Sequence, residues 1–86
     1  MEKTCLQIAK FFGLSTSVIY PMLCRSEFEK YRYRKTYNIN LDFIEELNKF
    51  FEKKKFDRVA SFEKFQKAQK KLEQWKRQIN AQNAVF

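Results

Sequence analysis

The chain has 86 residues, of which 18 are lysine or arginine and 10 are aspartate or glutamate, giving a formal net charge of +8. This length has room for one small domain with a modest core, and not for a conventional two-domain enzyme. There is no histidine, the commonest general base, and the single glycine, Gly13, rules out a glycine-rich phosphate loop. We therefore expect no enzymatic activity and no cofactor, and the positive charge favours nucleic acid as the partner.

Two further classes are disfavoured by composition. Cys5 and Cys24 are the only cysteines, too few to complete a tetrahedral zinc site, so no metal is expected. No apolar run approaches the roughly 20 residues that cross a bilayer, and the first ten residues do not resemble a secretion signal. We expect a cytoplasmic protein with reduced thiols and no membrane partner.

The first two predicted helices are short and are joined by a tight turn. Thr4 followed by Gln7 forms a capping box for the first helix, and Ser15 is placed to cap the second. Three residues suit the junction of two such helices. Ala9 is small enough for the helices to cross there, Gly13 tolerates positive φ at the turn, and Ile19 is an aliphatic core residue. In this order, residues 4–23 resemble the helix-turn-helix of prokaryotic DNA-binding domains.

A basic hairpin is predicted next. Period-two alternation places Lys30, Arg32 and Arg34 on one face of a strand, with Tyr31 and Tyr33 on the other. A turn at residues 34–35 or 35–36 would lead into a second strand over residues 36–39, whose β-branched and aromatic side chains suit a strand. The competing interpretation is a helix that begins with Pro21 and continues through Arg34.

A third helix follows, capped by Asn40 or Asp42. Its apolar stripe, which should close the core, comprises Phe43, Ile44, Leu47, Phe50 and Phe51. We predict a break in the stretch 53–57, because three consecutive lysines repel one another there and the apolar period shifts.

The last predicted helix is long and starts from Ser61 as its N-cap. Its apolar residues recur at three- and four-residue steps as a heptad seam: Phe65, Ala68, Leu72, Trp75 and Ile79. This seam either packs on the domain's own surface or forms a homodimer, in which Phe65, Leu72, Trp75 and Ile79 are the dimerisation residues. The predicted organisation is a domain over residues 1–56 and an appended amphipathic helix over residues 57–86.

The order helix, turn, helix, basic hairpin and capped helix resembles the winged helix-turn-helix of excisionases and MerR-type regulators. The fold class implied is mainly α with a small β-hairpin, plus a C-terminal long helix. The resemblance implies that the second helix enters the major groove, while the hairpin touches the backbone or minor groove. The DNA-binding residues predicted on this basis are Ser15, Thr16, Ser17, Tyr20, Arg25, Lys30, Arg32, Arg34 and Lys35.

The sequence departs from this family in one respect. The second helix has no charged residue between Ser15 and Arg25, and Pro21 removes a backbone donor within it. Arginine-led reading of guanine edges by that helix is disfavoured. We therefore expect the basic hairpin to lead binding, with its arginines suited to an A·T-rich minor groove.

The predicted function is site-specific binding of double-stranded DNA by a homodimer. An excisionase-like factor, an accessory protein at a plasmid transfer origin and a small transcriptional repressor all fit, with a relaxase, recombinase or polymerase as a further partner. The bias towards lysine and phenylalanine fits a bacterial, phage or plasmid source. The alternatives are a phage-encoded protein-interaction or inhibitor module and an RNA-binding protein, in which tyrosines beside arginines would stack on bases.

Overall fold

The structure, a computed structural model, describes the backbone of residues 1–57 and 59–83 and the side chains of residues 1–55 and 62–82. It is mainly helical, with a small antiparallel sheet and a long C-terminal helix, which confirms the predicted fold class. The chain forms two compact units, one over Met1–Ile39 and a second that begins at Asn40.

Six elements make up the first unit. They are β1 (Glu2–Thr4), α1 (Cys5–Phe12), α2 (Thr16–Leu23), α3 (Ser26–Glu29), β2 (Arg32–Tyr33) and β3 (Thr36–Asn38). The second unit contains two longer helices, α4 (Leu41–Asp57) and α5 (Val59–Asn83).

Both ends of α1 are fixed by the predicted residues. The Thr4 hydroxyl accepts from the Gln7 amide at 3.2 Å, while the Gln7 side chain accepts from the Thr4 amide at 2.9 Å, which completes the capping box. At the other end Gly13 has φ +68°, and its amide and that of Leu14 donate to the carbonyls of Lys10 and Ala9. This pairing is a Schellman motif, and it needs the left-handed conformation that glycine adopts without strain.

The start of α2 is as predicted, although its cap works differently. Ser15 occupies the N-cap position, but its hydroxyl bonds to the Ser17 hydroxyl at 2.8 Å and not to a backbone amide. Pro21 lies inside the helix, where it cannot donate to the preceding turn. Ala9 and Ile19 are both buried, as expected of residues at the junction of the two helices.

The predicted strand from Lys30 is wrong in extent. The backbone forms the helical turn α3 first, Lys30 ends that turn, and β2 contains only Arg32 and Tyr33. A hydrogen bond from the Tyr31 amide to the Phe28 carbonyl continues the turn, and the Tyr31 ring is buried while Tyr33 is 65% exposed. Lys30, Arg32 and Arg34 thus do not share one strand face. The alternative of a continuous helix from Pro21 to Arg34 is also wrong, because α2 ends at Leu23.

The hairpin itself is present, with residues 34–35 as its two-residue turn. Arg34 has φ +58°, a conformation that a two-residue hairpin turn often requires and that glycine or asparagine usually supplies. Two hydrogen bonds hold the turn: Arg32 Nε donates to the Arg34 carbonyl at 3.1 Å, and Thr36 Oγ1 donates to the Tyr33 carbonyl at 3.0 Å.

The first strand of the sheet was not predicted. Strand β1 pairs antiparallel with β3, so the sheet order is β1-β3-β2 and the hairpin becomes part of a three-stranded sheet. A three-residue strand at the chain start is too short to give a readable alternation, which is why the sequence pattern did not reveal it.

Helix α4 starts at a side-chain cap and has lysines in its last turn. Of the two predicted caps, Asn40 is the one used, since its side-chain oxygen accepts from the Phe43 amide at 2.8 Å. The predicted break around residues 53–57 is found at the end of that stretch, because α4 includes the three lysines and ends at Asp57, and α5 begins at Val59. Lysines in the last turn of a helix interact favourably with its dipole, which offsets part of their mutual repulsion.

Helix α5 packs against α4 to form a helical hairpin. It begins at Val59, so Ser61 lies within the helix and is not its N-cap. The rings of Phe51 and Phe65 pack with their centroids 5.8 Å apart. On one flank Gln69 Nε2 donates to Asn48 Oδ1 at 3.1 Å and to Glu52 Oε2 at 2.6 Å.

The boundary between the two compact units differs from the predicted domain boundary. The predicted boundary follows residue 56, whereas α4 groups with α5 and the units divide between Ile39 and Asn40. Two amphipathic helices joined by a short connection bury apolar area by packing on one another, and α4 and α5 do so here.

Candidate nucleic-acid interface

The predicted DNA-binding residues all lie in the first unit and are all exposed. They come from α2 and its N-cap, from the segment that joins α2 to β2, and from the hairpin: Ser15, Thr16, Ser17, Tyr20, Arg25, Lys30, Arg32, Arg34 and Lys35. Exposure is a requirement for contact with a ligand, and all nine residues meet it.

Tyr20 of α2 and Arg32 of β2 are both exposed, Tyr20 to 59%. A side-chain hydrogen bond with Cys24 raises the pKa of the Tyr20 phenol above its ordinary value of 10.0, and the positive charge of Arg32 acts against this increase.

The pairing of the strands places Arg32 next to Tyr37 in the sheet. Arg32 lies opposite Tyr37 on β3, and residues directly opposite in an antiparallel pair project from the same sheet face. Tyr37 is buried, and burial raises its pKa, while the positive charge of Arg32 lowers it. Cys24, Cys5 and Tyr20 act in the same direction as burial on the pKa of Tyr37.

Lys3 joins the same sheet face and was missed in the sequence. It lies opposite Tyr37 from the other side, on β1, so Tyr37 is flanked by Lys3 and Arg32. Finding Lys3 required the pairing of β1 with β3, for which residues 2–4 carry no distinctive pattern. On this face the half-buried Lys3 and the exposed Arg32 lie on either side of the buried Tyr37.

The hydroxyl groups at the start of α2 form a small neutral cluster. Ser15 and Ser17 are hydrogen-bonded to each other, and Thr16 is exposed between them. Hydroxyls donate to phosphate oxygens and bring no charge, so this end of α2 can fix the position of a backbone without strong attraction.

Three of the other basic residues make contacts that orient them. Arg34 stacks over the Tyr33 ring at 5.4 Å from its centroid, and Lys30 Nζ lies 5.2 Å from the centroid of Tyr31. Arg25 Nε is 3.4 Å from a carboxylate oxygen of Glu27, which partly neutralises its charge. Arg25 is therefore a weaker candidate for anion binding than the hairpin arginines.

The predicted dimerisation residues lie in the core of the chain itself. Phe65, Leu72, Trp75 and Ile79 are buried, and they belong to the helix that packs against α4. This arrangement corresponds to the alternative in which the seam packs within one chain. The burial of these side chains leaves little of the seam for a second copy.

Cys5 and Cys24 are free thiols. Burial, with a smaller effect from Cys24, raises the pKa of Cys5 above its ordinary value of 9.0. Within the described residues, no cluster of three or more cysteines or carboxylates could hold a metal ion. None of the helices in this described part has the length and apolar character needed to cross a membrane.

No protein-family model, curated protein or solved structure matches the chain.

Proposed function

We propose that the protein binds double-stranded DNA without catalysis, and that its basic hairpin contributes more to affinity than α2. The basic hairpin comprises β2, the turn at residues 34–35 and β3. The observation that carries this proposal is the exposure of three cations on the hairpin, Arg32, Arg34 and Lys35, in the same compact unit as the exposed hydroxyls of α2.

Charge is what makes the hairpin the stronger contributor. A cation that neutralises a phosphate releases a condensed counterion, and this release supplies much of the affinity of proteins for DNA. Arg32, Arg34 and Lys35 are exposed on the hairpin, whereas α2 has no charged side chain. The hydroxyls of α2 then position the backbone, as neutral phosphate contacts commonly do.

The biological role that fits this arrangement is to mark or shape a DNA site. An excisionase-like factor, an accessory protein at a transfer origin and a small repressor share this binding chemistry, and each acts with other proteins such as a relaxase or recombinase. We place the protein in this group as a winged helix-turn-helix of modified type.

RNA or single-stranded DNA is a second candidate ligand, favoured by one observation. The Tyr33 ring is 65% exposed and lies beside Arg34, an arrangement that can stack on an unpaired base. Tyr31 and Tyr37, by contrast, are buried and cannot form a stacking platform.

Fluorescence anisotropy against three labelled ligands distinguishes these candidates: a DNA duplex, one of its single strands and an RNA hairpin of similar length. At about 0.15 M salt we expect the duplex to bind most tightly, with log K falling linearly as log salt rises because several phosphates are neutralised. Tighter binding to the single strand or to the RNA hairpin would indicate that the ligand is the second candidate, RNA or single-stranded DNA. Affinity for the duplex that does not respond to salt would contradict nucleic-acid binding as proposed.

A further inference from the structure

Much of the positive charge of the protein lies outside the basic hairpin. Of the 18 basic residues, eleven follow Asn40, and six of those belong to the stretch between Lys64 and Arg77. These six lie on α5, of which the described backbone is continuous from Val59 to Asn83. Seven of the ten acidic residues also follow Asn40, so residues 1–39 and residues 40–86 contribute equally to the net charge, +4 each.

Three lysines of α5 form a strip along the helix. Lys64, Lys67 and Lys71 are separated by three and four residues, and side chains at this spacing are stacked on one side of a helix. Lys64 and Lys67 are exposed, and Lys71 is partly exposed. We call these three residues the α5 lysine strip.

The strip lies beside the buried seam and away from the polar flank of the helical hairpin. That flank is occupied by Gln69, which bonds to Asn48 and Glu52 of α4. At 100° per residue, Gln69 is roughly opposite the strip around the α5 axis. The polar groups on the Gln69 flank are thus engaged within the hairpin, while the strip faces another direction.

The strip places like charges next to each other on the helix. Lys67 has a lysine three residues before it and others three and four residues after it, and like charges at these separations destabilise a helix. Lys67 Nζ lies 3.7 Å from a carboxylate oxygen of Glu63, with both side chains largely exposed. An exposed pair of this kind contributes little, so an external anion would relieve the repulsion more fully.

We propose that the α5 lysine strip is a second binding surface for the phosphate backbone of double-stranded DNA, separate from the basic hairpin. This inference rests on the proposed function. The three lysines extend over about 10 Å along the helix axis, a length over which a DNA duplex carries about six negative charges. Lysine suits such a surface because its compact ammonium group binds phosphate as a point charge without demanding base contacts.

The test compares two variants of equal net charge in the full chain. One variant removes the strip with Lys64→Gln, Lys67→Gln and Lys71→Gln. The control carries Lys10→Gln, Lys49→Gln and Lys76→Gln, three exposed lysines outside the strip, of which Lys76 is on α5 itself, seven residues from Gln69 and on its flank. Glutamine and lysine have similar helix propensity, so circular dichroism should show both variants folded as the original chain is.

Binding of a 30-base-pair duplex is measured by anisotropy from low to moderate salt. For the strip variant we expect the slope of log K against log salt to become shallower by about 2 to 3, and the affinity at about 0.1 M salt to fall by about tenfold or more. The control should stay close to the original slope, because it loses the same charge without losing the contact.

Each remaining outcome overturns the inference. Equal slopes for the strip variant and the control would show that the lysines act only through net charge, and this result leaves the proposed function intact. Strip-dependent binding that is tighter to an RNA duplex of the same sequence would assign the strip to RNA. A chain that fails to bind the DNA duplex at all would overturn both the inference and the proposed function.

Discussion

Arg34 combines a demanding backbone conformation with a side chain suited to binding phosphate. Its φ of +58° lies in the left-handed region, where side chains with a Cβ are strained by about 1 kcal/mol or more. Glycine, asparagine or aspartate would satisfy this turn more readily, and none of them could supply a cation. Such strain at Arg34 is consistent with the proposed binding function, in which contact with a ligand is favoured over stability.

Replacing Arg34 should separate these two effects. Arg34→Gly removes the strain, but glycine also increases the conformational entropy of the unfolded chain, which lowers stability. The net result that we expect is a gain of about 0.5 kcal/mol in the free energy of unfolding. Duplex binding should weaken at the same time, because one cation is lost. Urea denaturation and anisotropy on the same preparations measure the two quantities.

Arg34→Ala is the matched control for this substitution. It removes the same charge but keeps a Cβ, so binding should weaken by a similar amount without the gain in stability. An Arg34→Gly variant that is no more stable than Arg34→Ala would contradict the account of the turn.

At the scale of elements, the α4–α5 hairpin is stabilised by an apolar seam between its helices. Phe51 packs on Phe65, and Leu72 and Trp75 are each 2% exposed. The polar link from Gln69 fixes one flank, and its hydrogen bond to Glu52 lowers the pKa of that carboxyl below its ordinary value of 4.5. Lys55 Nζ, 3.4 Å from Glu52, acts in the same direction.

Leu72→Ala tests the packing of this seam within one chain. Removing a buried leucine side chain loses its transfer free energy and leaves a cavity, so we expect a loss of about 2–5 kcal/mol in the free energy of unfolding. Leu6→Ala, at a position that is 53% exposed, should cost less than about 0.5 kcal/mol. Thermal and urea denaturation of both variants measure the difference.

Protein concentration distinguishes this seam from a dimer interface. A seam within one chain gives a melting temperature that does not change over about a hundredfold range of concentration, for the original chain and for Leu72→Ala alike. A melting temperature that rises with protein concentration, and rises less in Leu72→Ala, would show that these residues form a dimer interface.

The elements were predictable from the sequence where a local signal determines them. The Thr4 capping box, the left-handed Gly13 and the Asn40 cap each depend on residues within four positions of one another, and all three are present. The seam of α5 was also readable, because its spacing follows the helix period. The start of α5 was misplaced by three residues, since Ser61 resembles a cap, which would make Phe62 the first helical residue, whereas the helix begins at Val59.

What the sequence did not reveal depends on contacts between distant residues. Strand β1 exists because residues 2–4 pair with residues 36–38, and Lys3 joins the candidate interface only through that pairing. The alternation of Lys30, Tyr31 and Arg32 predicted a strand, but Lys30 ends the helical turn α3, and the hairpin begins only at Arg32. A period-two pattern of five residues is too short to exclude a helical turn within it.

At the scale of the whole molecule, net charge determines how the protein meets a polyanion. A charge of +8 on a chain of this size attracts nucleic acid over several ångströms before any specific contact forms. Long-range attraction depends on the total charge, whereas a bound complex depends on where the charges lie. Variants that share one net charge but differ in position therefore reveal which surface makes the contact.

The central claim is that the basic hairpin leads the binding of duplex DNA, and one comparison tests it most directly. The affinity of Arg32→Ala with Arg34→Ala for duplex DNA is measured at about 0.1 M salt, beside Thr16→Ala with Ser17→Ala and a charge-matched control, Lys49→Ala with Lys76→Ala. We predict that the arginine pair weakens binding by at least about tenfold, whereas the hydroxyl pair and the control each stay within about threefold of the original chain. Equal losses for the arginine and hydroxyl pairs, or a larger loss for the hydroxyl pair, would contradict the claim.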